Sequence, residues 1–449
     1  MKTLLITSFH PVVLRNLLMT EALSLLMART DVRVVVLVPG YKKEYFAAQL
    51  QYPNLIVEGI TLGSPSKQFV TLIIKRLAKL SIDTASAKIQ RRMKWEREGK
   101  WWYYAAAAVP AWLSRHGWYR AALRYADRVL TATNRYEELF NTYAPDLVLV
   151  TDVQNERDVE VSQYAKRRGI RTYALVRNWD NLTSHGLIRS VPDVLLVGSG
   201  ELRRQAIHLN GLRQERVRLV GNPHHDRWVK GSPQSREAFF AEHGFDQKKP
   251  LILLALIGDW YIPDNDTDAY LLELAATWDA NVMVRFHPTV EVAALRDAKP
   301  APNMAFDRPG QAFSSEYADR VLDTKDDERL MCELSYSDMV VCGPTTLGME
   351  AMLFGKPVAL INFHRRSRSL KEGIVLYEYD HLRFVRQYRA AWLTESAEEL
   401  GRAITTYLKN PELHAEGRAV VANAYGGPQD GRSGKRLAQE LLDGLGLLT

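Results

Sequence analysis

Two stretches of the chain carry residue types whose spacing points to phosphate chemistry. In Cys342-Gly343-Pro344-Thr345-Thr346-Leu347-Gly348-Met349-Glu350, a β-branched run ends in a Gly-Pro turn, and two threonines open a helix. The first amides of a helix lack intrahelical partners and carry the positive end of its dipole, so they attract phosphate. The hydroxyls of Thr345 and Thr346 add donors, and Gly343 keeps the turn tight. Glu350, one turn further on in an otherwise apolar helix, suits a pair of ribose hydroxyls. An ordinary threonine N-cap would account for Thr345 but not for Glu350. Arg285-Phe286-His287-Pro288 follows the run Val282–Val284 and brings a fixed cation and an imidazole to a strand end. Both suit a diphosphate or a departing nucleotide.

Proton transfer has separate candidates. His10 lies in the first strand-to-helix loop, where a neutral imidazole would deprotonate a hydroxyl and Asp152, at another strand end, would orient it. Asn178-Trp179-Asp180-Asn181-Leu182-Thr183-Ser184-His185 surrounds one tryptophan with polar groups and reads as a pocket rim, with Asn178, Trp179, Asn181 and His185 as contacts. Asp180 is either a base or a turn cap. Gly221-Asn222-Pro223-His224-His225-Asp226 closes the first half and shapes a hinge, with His224 or His225 expected to face the cleft. Asp264-Asn265-Asp266 and Asp266-Thr267-Asp268, after Trp260-Tyr261-Ile262-Pro263, match an Asp-x-Asp metal pattern but read as solvated turns. No Cys/His cluster has zinc spacing, and Walker A, GxGxxG and GxSxG patterns are missing. ATP hydrolysis and NAD chemistry therefore lack support, and no cofactor is expected.

Alternating strands and helices must position these residues. Strands are predicted at Leu4–Thr7, Val32–Val38, Asp146–Thr151, Arg171–Val176, Asp193–Val197 and Val217–Val220, with helices between them over about 14–29, 159–168 and up to 210. Gly169 is the expected helix end. After the polar stretch Lys230–Arg236, a second series has strands at Leu251–Ile257, Val282–Phe286, Met339–Cys342 and Val358–Asn362. Its helices run over about 269–278, 328–336 and 347–354. Two tail helices, Ser396–Leu408 and Ser433–Leu442, follow. This rhythm predicts an α/β chain of two Rossmann-like parallel-sheet domains, 1–230 and 231–449, facing a central cleft, with the last helix returning to the first domain.

Composition fits. The chain has 449 residues, 46% of them hydrophobic and 25% charged, enough for two cores and without a disorder signature. A net charge of +7 favours anionic partners. Two cysteines, Cys332 and Cys342, are expected as buried free thiols in a reducing cytoplasm. The opening apolar run is broken by His10, Pro11, Arg15 and Asn16, unlike a signal peptide, and no apolar stretch is long enough to span a membrane. Residues 67–128 stand apart, with fourteen Lys or Arg against four Asp or Glu, and five of the ten tryptophans. They read as a basic aromatic helical insertion (about 65–130) that either packs on its own domain or meets a glycan or an anionic membrane at the inner cytoplasmic face.

Together, NWDNLTSHG, PDVLLVGSGELRRQAIHLNG, RVRLVGNPHHDRW, RFHP and GPTTLGMEAMLFGKPVA resemble the GT-B superfamily, in the neighbourhood of the CDP-glycerol glycerophosphotransferases and the non-hydrolysing UDP-N-acetylglucosamine 2-epimerases. The resemblance covers about 200 residues, and residues 40–145 match no named pattern. It implies a nucleotide-sugar donor held by the second domain through His287, Thr345, Thr346 and Glu350, with no metal required. It also implies a base in the first loop, where His10 stands. The expected activity is an inverting glycosyltransferase acting on a glycan or lipid-linked acceptor in bacterial surface polysaccharide synthesis, with no nucleic-acid partner. A CDP-polyol phosphotransferase and a non-catalytic glycan or nucleic-acid binder are the alternatives.

Overall fold

The computed structural model describes residues 1–447 apart from 62–68, 132–133, 260–261, 263–264, 318, 367–373 and 375. Of the motif residues above, Trp260, Tyr261, Pro263 and Asp264 lie outside the described residues. The chain forms two compact units. One comprises Met1–Val229 with Gly427–Thr449, the other Lys230–Gly426.

The first unit holds a parallel sheet of β1 (Lys2–Thr7), β2 (Val32–Pro39), β3 (Leu55–Ile60), β4 (Leu147–Val150), β5 (Arg171–Leu175), β6 (Val194–Val197) and β7 (Val217–Leu219), in the order β3-β2-β1-β4-β5-β6-β7. The strands at its centre are buried on both faces, as in VRVVVLVP of β2 and LVLV of β4, which is why they read as continuous apolar runs rather than alternating ones. Leu4 sets the register against Val34 on one side and Leu147 on the other. The second unit repeats the design with β8 (Leu251–Ala255), β9 (Asn281–Arg285), β10 (Met304–Asp307), a small hairpin of β11 (Gln311–Ala312) and β12 (Arg320–Val321), then β13 (Met339–Cys342), β14 (Val358–Ile361) and β15 (Trp392–Thr394). Its main sheet runs β10-β9-β8-β13-β14-β15. In each sheet the winding reverses beside the first strand, at β1/β4 and at β8/β13. Ligands of doubly wound sheets sit at the carboxyl ends of the strands at such a reversal.

The helix predicted over about 14–29 is broken. A wide-turned segment, Leu14–Leu18, is followed by extended Thr20 and then the helix Glu21–Met27. Thr20 Oγ1 donates to Leu17 O at 2.7 Å and the Arg227 guanidinium donates to Met19 O. Both satisfy carbonyls that a continuous helix would have used. Asp226 binds the last helix, Ser433–Gly444, by accepting from the amides of Ser433 (3.0 Å) and Gly434 (2.7 Å). Gly427, at φ +71°, leaves no room for a side chain, since a Cβ would lie 1.9 Å from Gly198 O. Both cysteines are free and buried.

Candidate active site

At the β1/β4 reversal the first unit gathers a polar cluster. Asp158, in the first turn of the helix Glu156–Arg167, points back under the strands and accepts from Thr151 N at 3.1 Å and from the Thr7 hydroxyl. Burial, then the charge of Asp152, raises its carboxyl to about 7. Asp152 accepts from Arg177 Nε at 2.7 Å, Gln154 N at 3.0 Å and Asn181 Nδ2 at 3.2 Å. Burial alone would raise the Asp152 carboxyl, but the Arg177 charge and these bonds hold it below the usual carboxylate range, so it is an anion. His10 lies in the same field. Burial, then Arg177, lowers its imidazole to about 3 against the opposing pull of Asp152.

Four buried polar atoms around this cluster have no hydrogen-bond partner among the described residues: Ser8 Oγ, Thr151 Oγ1, Gln154 Oε1 and Asn181 Oδ1. They come from the ends of β1 and β4 and from the loop after β5. Buried polar groups are almost always paired, so each of these atoms at the strand ends is a candidate partner for a ligand hydroxyl. Ser8, Thr151, Gln154 and Arg177 were not singled out from sequence. Their role arises only when three distant segments meet.

The polar run after β5 is less of a rim than its composition suggests. Trp179 and Asn181 are buried, Asn178 and Asp180 are half-buried, and His185 is exposed. Asp180 accepts from Ser184 Oγ at 3.0 Å, closing the one-turn helix Asn181–Ser184. The histidines that close the first half are packed inward. His224 and His225 are buried against Trp228, with ring centroids 5.5 and 4.0 Å away. Burial holds both imidazoles neutral, that of His225 at about 3.

In the second unit the reversal at β8/β13 places the Gly-Pro turn against the loop after β8. A Cβ on Gly343 would lie 2.6 Å from Ile257 Cγ1, so the turn packs flush. Extended Thr345 caps the helix Thr346–Leu353, its Oγ1 accepting from Leu347 N at 3.0 Å. Thr346 and Glu350 are both half-buried and four residues apart, on one helix face. His287 Nδ1 accepts from Thr289 N at 3.1 Å, which puts the proton of the neutral ring on Nε2. Burial, then Arg285, lowers this imidazole to about 4. Tyr317 donates to His287 O at 3.0 Å and lines a cavity of about 380 Å³ with Arg308 and Arg320.

Arg285 does not present a free cation. Its Nη1 bonds Asp307 Oδ2 at 2.5 Å and Glu333 Oε2 at 2.7 Å, all three side chains being buried. The expectation of a direct ligand contact therefore gives way to a structural one: Arg285 ties β9 to β10 and to the helix Thr324–Tyr336 and so fixes the segment carrying His287. Asp268 of the Asp-x-Asp pattern is likewise turned inward, accepting from Ile257 N (2.9 Å), Gly258 N (2.8 Å) and Asn265 Nδ2 (2.7 Å). Asp266 stands 3.7 Å from Arg366.

No family model matches the chain, and no curated protein matches it. Solved structures do. A UDP-GlcNAc 2-epimerase from Neisseria meningitidis bound to UDP-GlcNAc aligns over 99% of this chain and 100% of its own, at a TM-score of 0.57 and 14% identity. The Methanocaldococcus jannaschii UDP-GlcNAc 2-epimerase in complex with UDP-GlcNAc and UDP aligns over 99% and 100%, at 0.54 and 13%. A glycotransferase of kitacinnamycin aligns over 99% of both chains, at 0.50 and 13%. The fold is thus the two-domain α/β GT-B fold.

Proposed function

We propose that the protein is a GT-B glycosyltransferase that moves a sugar from a nucleotide-sugar donor to an acceptor hydroxyl. The observation that carries this reading is the pairing, at equivalent sheet reversals, of a helix N-terminus with a carboxylate one turn on in the second unit and a hydroxyl-seeking polar cluster in the first. The second unit, Lys230–Gly426, serves as the donor domain. The Thr345–Thr346 helix start and His287 Nε2–H receive the diphosphate, and Glu350 receives the ribose hydroxyls. The helix dipole and His287 supply what a metal would otherwise supply to the departing phosphate. The first unit is the acceptor domain, with Ser8, Thr151, Gln154 and Asn181 holding hydroxyls. His10 takes the acceptor proton, and the Asp152 anion stabilises the imidazolium that results. A single displacement of this kind inverts the anomeric centre. The epimerase and glycotransferase neighbours support the fold on which this reading rests.

The test is a thermal-shift series with UDP, CMP, CDP, GDP and dTDP, with and without EDTA. A ligand at about 100 times its Kd adds roughly 2.7 kcal/mol of stability. One nucleotide should raise Tm, EDTA should not remove the effect, and Glu350→Ala should abolish it. A Glu350→Ala protein that binds as well as the parent would overturn the donor site. Conversion of a UDP-sugar to its epimer without an acceptor would replace transfer by epimerisation.

A further inference from the structure

We propose that the helices spanning residues 69–130 of the first unit form a docking face for a phospholipid bilayer that carries anionic headgroups. The inference is independent of the nucleotide reading. Twenty large hydrophobic residues are exposed among the described residues, and fourteen of them lie between 69 and 130. A solvated helical hairpin would turn its apolar stripe inward; here a second one is turned outward. On the helix Gly117–Leu130, Leu123 faces in and packs with Ile74 and Ala78, while Trp118 (64% exposed), Tyr125 (70%) and Val129 line the opposite side at helical spacing. On Phe69–Leu80, Ile74 and Ala78 face in, and Phe69 (76%), Ile73 and Arg76 face out. On Ala85–Glu98, Lys88, Arg92 and Trp95 share the outer side.

These stripes connect through aromatic and cationic side chains. Arg76 lies over Trp102 at 5.5 Å, Lys94 over Tyr103 at 4.6 Å, and Trp95 against Tyr104 at 5.7 Å. Tyr103 itself is buried with Leu80 and Ala107, which anchors the layer from below. Indole and phenol rings backed by cations are what the headgroup level of a bilayer accommodates.

Charge selects among occupants. Fourteen basic residues against four acidic ones in 67–128 would set like charge against like in a second copy of this chain, whereas anionic lipid complements them. A nucleic acid offers phosphate but nothing for exposed Val70, Leu72, Ile73 and Val109. No helix among the described residues is long and apolar enough to cross a membrane, so the proposal is of adsorption at the surface.

Sedimentation with vesicles tests it. Phosphatidylcholine vesicles with about one-third phosphatidylglycerol should pull down the full-length protein at low salt, with about tenfold weaker partition at high salt or on phosphatidylcholine alone. Trp118→Ser with Tyr125→Ser, and separately Lys88→Glu with Arg92→Glu, should each weaken partition about tenfold. Circular dichroism and melting of the same samples show that these exposed substitutions leave the fold intact. No pelleting with phosphatidylglycerol vesicles at low salt overturns the proposal. So does partition unchanged in both double variants, or an aromatic patch that instead mediates self-association or oligonucleotide binding without vesicle binding.

Discussion

Arg177 Nε donates to Asp152 Oδ2 at 2.7 Å, so the loops after β5 and β4 are joined by a charge-assisted bond with the Asp152 side chain only 4% exposed. Arg177 thereby fixes Asp152 as an anion and at the same time opposes protonation of His10.

Arg177→Gln should leave Asp152 buried without its cation and cost about 2–4 kcal/mol in urea unfolding. The same variant removes a positive charge from the field of His10, so the His10 imidazole should titrate at higher pH, as seen by NMR of the ring protons. An unmoved His10 signal would mean that the two side chains do not share a field.

Arg285→Ala leaves Glu333 without its cation and Asp307 held by Arg329, and should lower stability by about 3–5 kcal/mol. Burial already pushes the Glu333 carboxyl up to about 8 despite the guanidinium. Combining Arg285→Met with Asp307→Asn and Glu333→Gln should recover much of the loss. If Arg285→Ala melts like the parent but loses nucleotide affinity, Arg285 contacts ligand after all.

Burial, then the charge of Arg15, lowers the His225 imidazole from its ordinary 6.5 to about 3 in the folded protein. The unfolded chain therefore binds a proton that the folded one refuses. The stability associated with neutral His225 is complete above pH 6.5 and erodes as pH falls towards 3, by about 2 kcal/mol at pH 5. His225→Phe keeps the ring against Trp228 and removes the titration. Its stability relative to the parent should rise between pH 7 and pH 5 in urea melts; a parallel pair of curves would contradict the burial of His225.

Asp226→Ala deprives the helix Ser433–Gly444 of an acceptor for two of its opening amides and should cost about 1–2 kcal/mol. Hydrogen exchange should show protection lost first in that helix. Uniform loss across the sheet would mean the helix has no separate opening.

The central strands were legible because burial on both faces leaves a dense apolar signature, as in Val32–Pro39 and Leu147–Val150. The edge strands β3, β10 and β15 escaped, being short or mixed: MAFD and WLT carry no period that separates strand from loop. Thr20 broke a helix for reasons supplied by Arg227, some two hundred residues away. The strand-end loops could be chosen from topology alone, yet local sequence does not reveal whether a polar group at a strand end is free or already bonded. Arg285 looked like a ligand cation and is instead paired, while Ser8 and Thr151 looked like ordinary strand-end residues and carry unpartnered hydroxyls.

The second unit is one uninterrupted stretch, Lys230–Gly426, set inside the chain of the first. During synthesis the ribosome completes β8 to β15 before it releases the helix Ser433–Gly444 that Asp226 holds. The amino-terminal unit, though begun first, is therefore the later of the two to be finished, and until then the helix Glu21–Met27, which packs against Ser433–Gly444, waits uncovered.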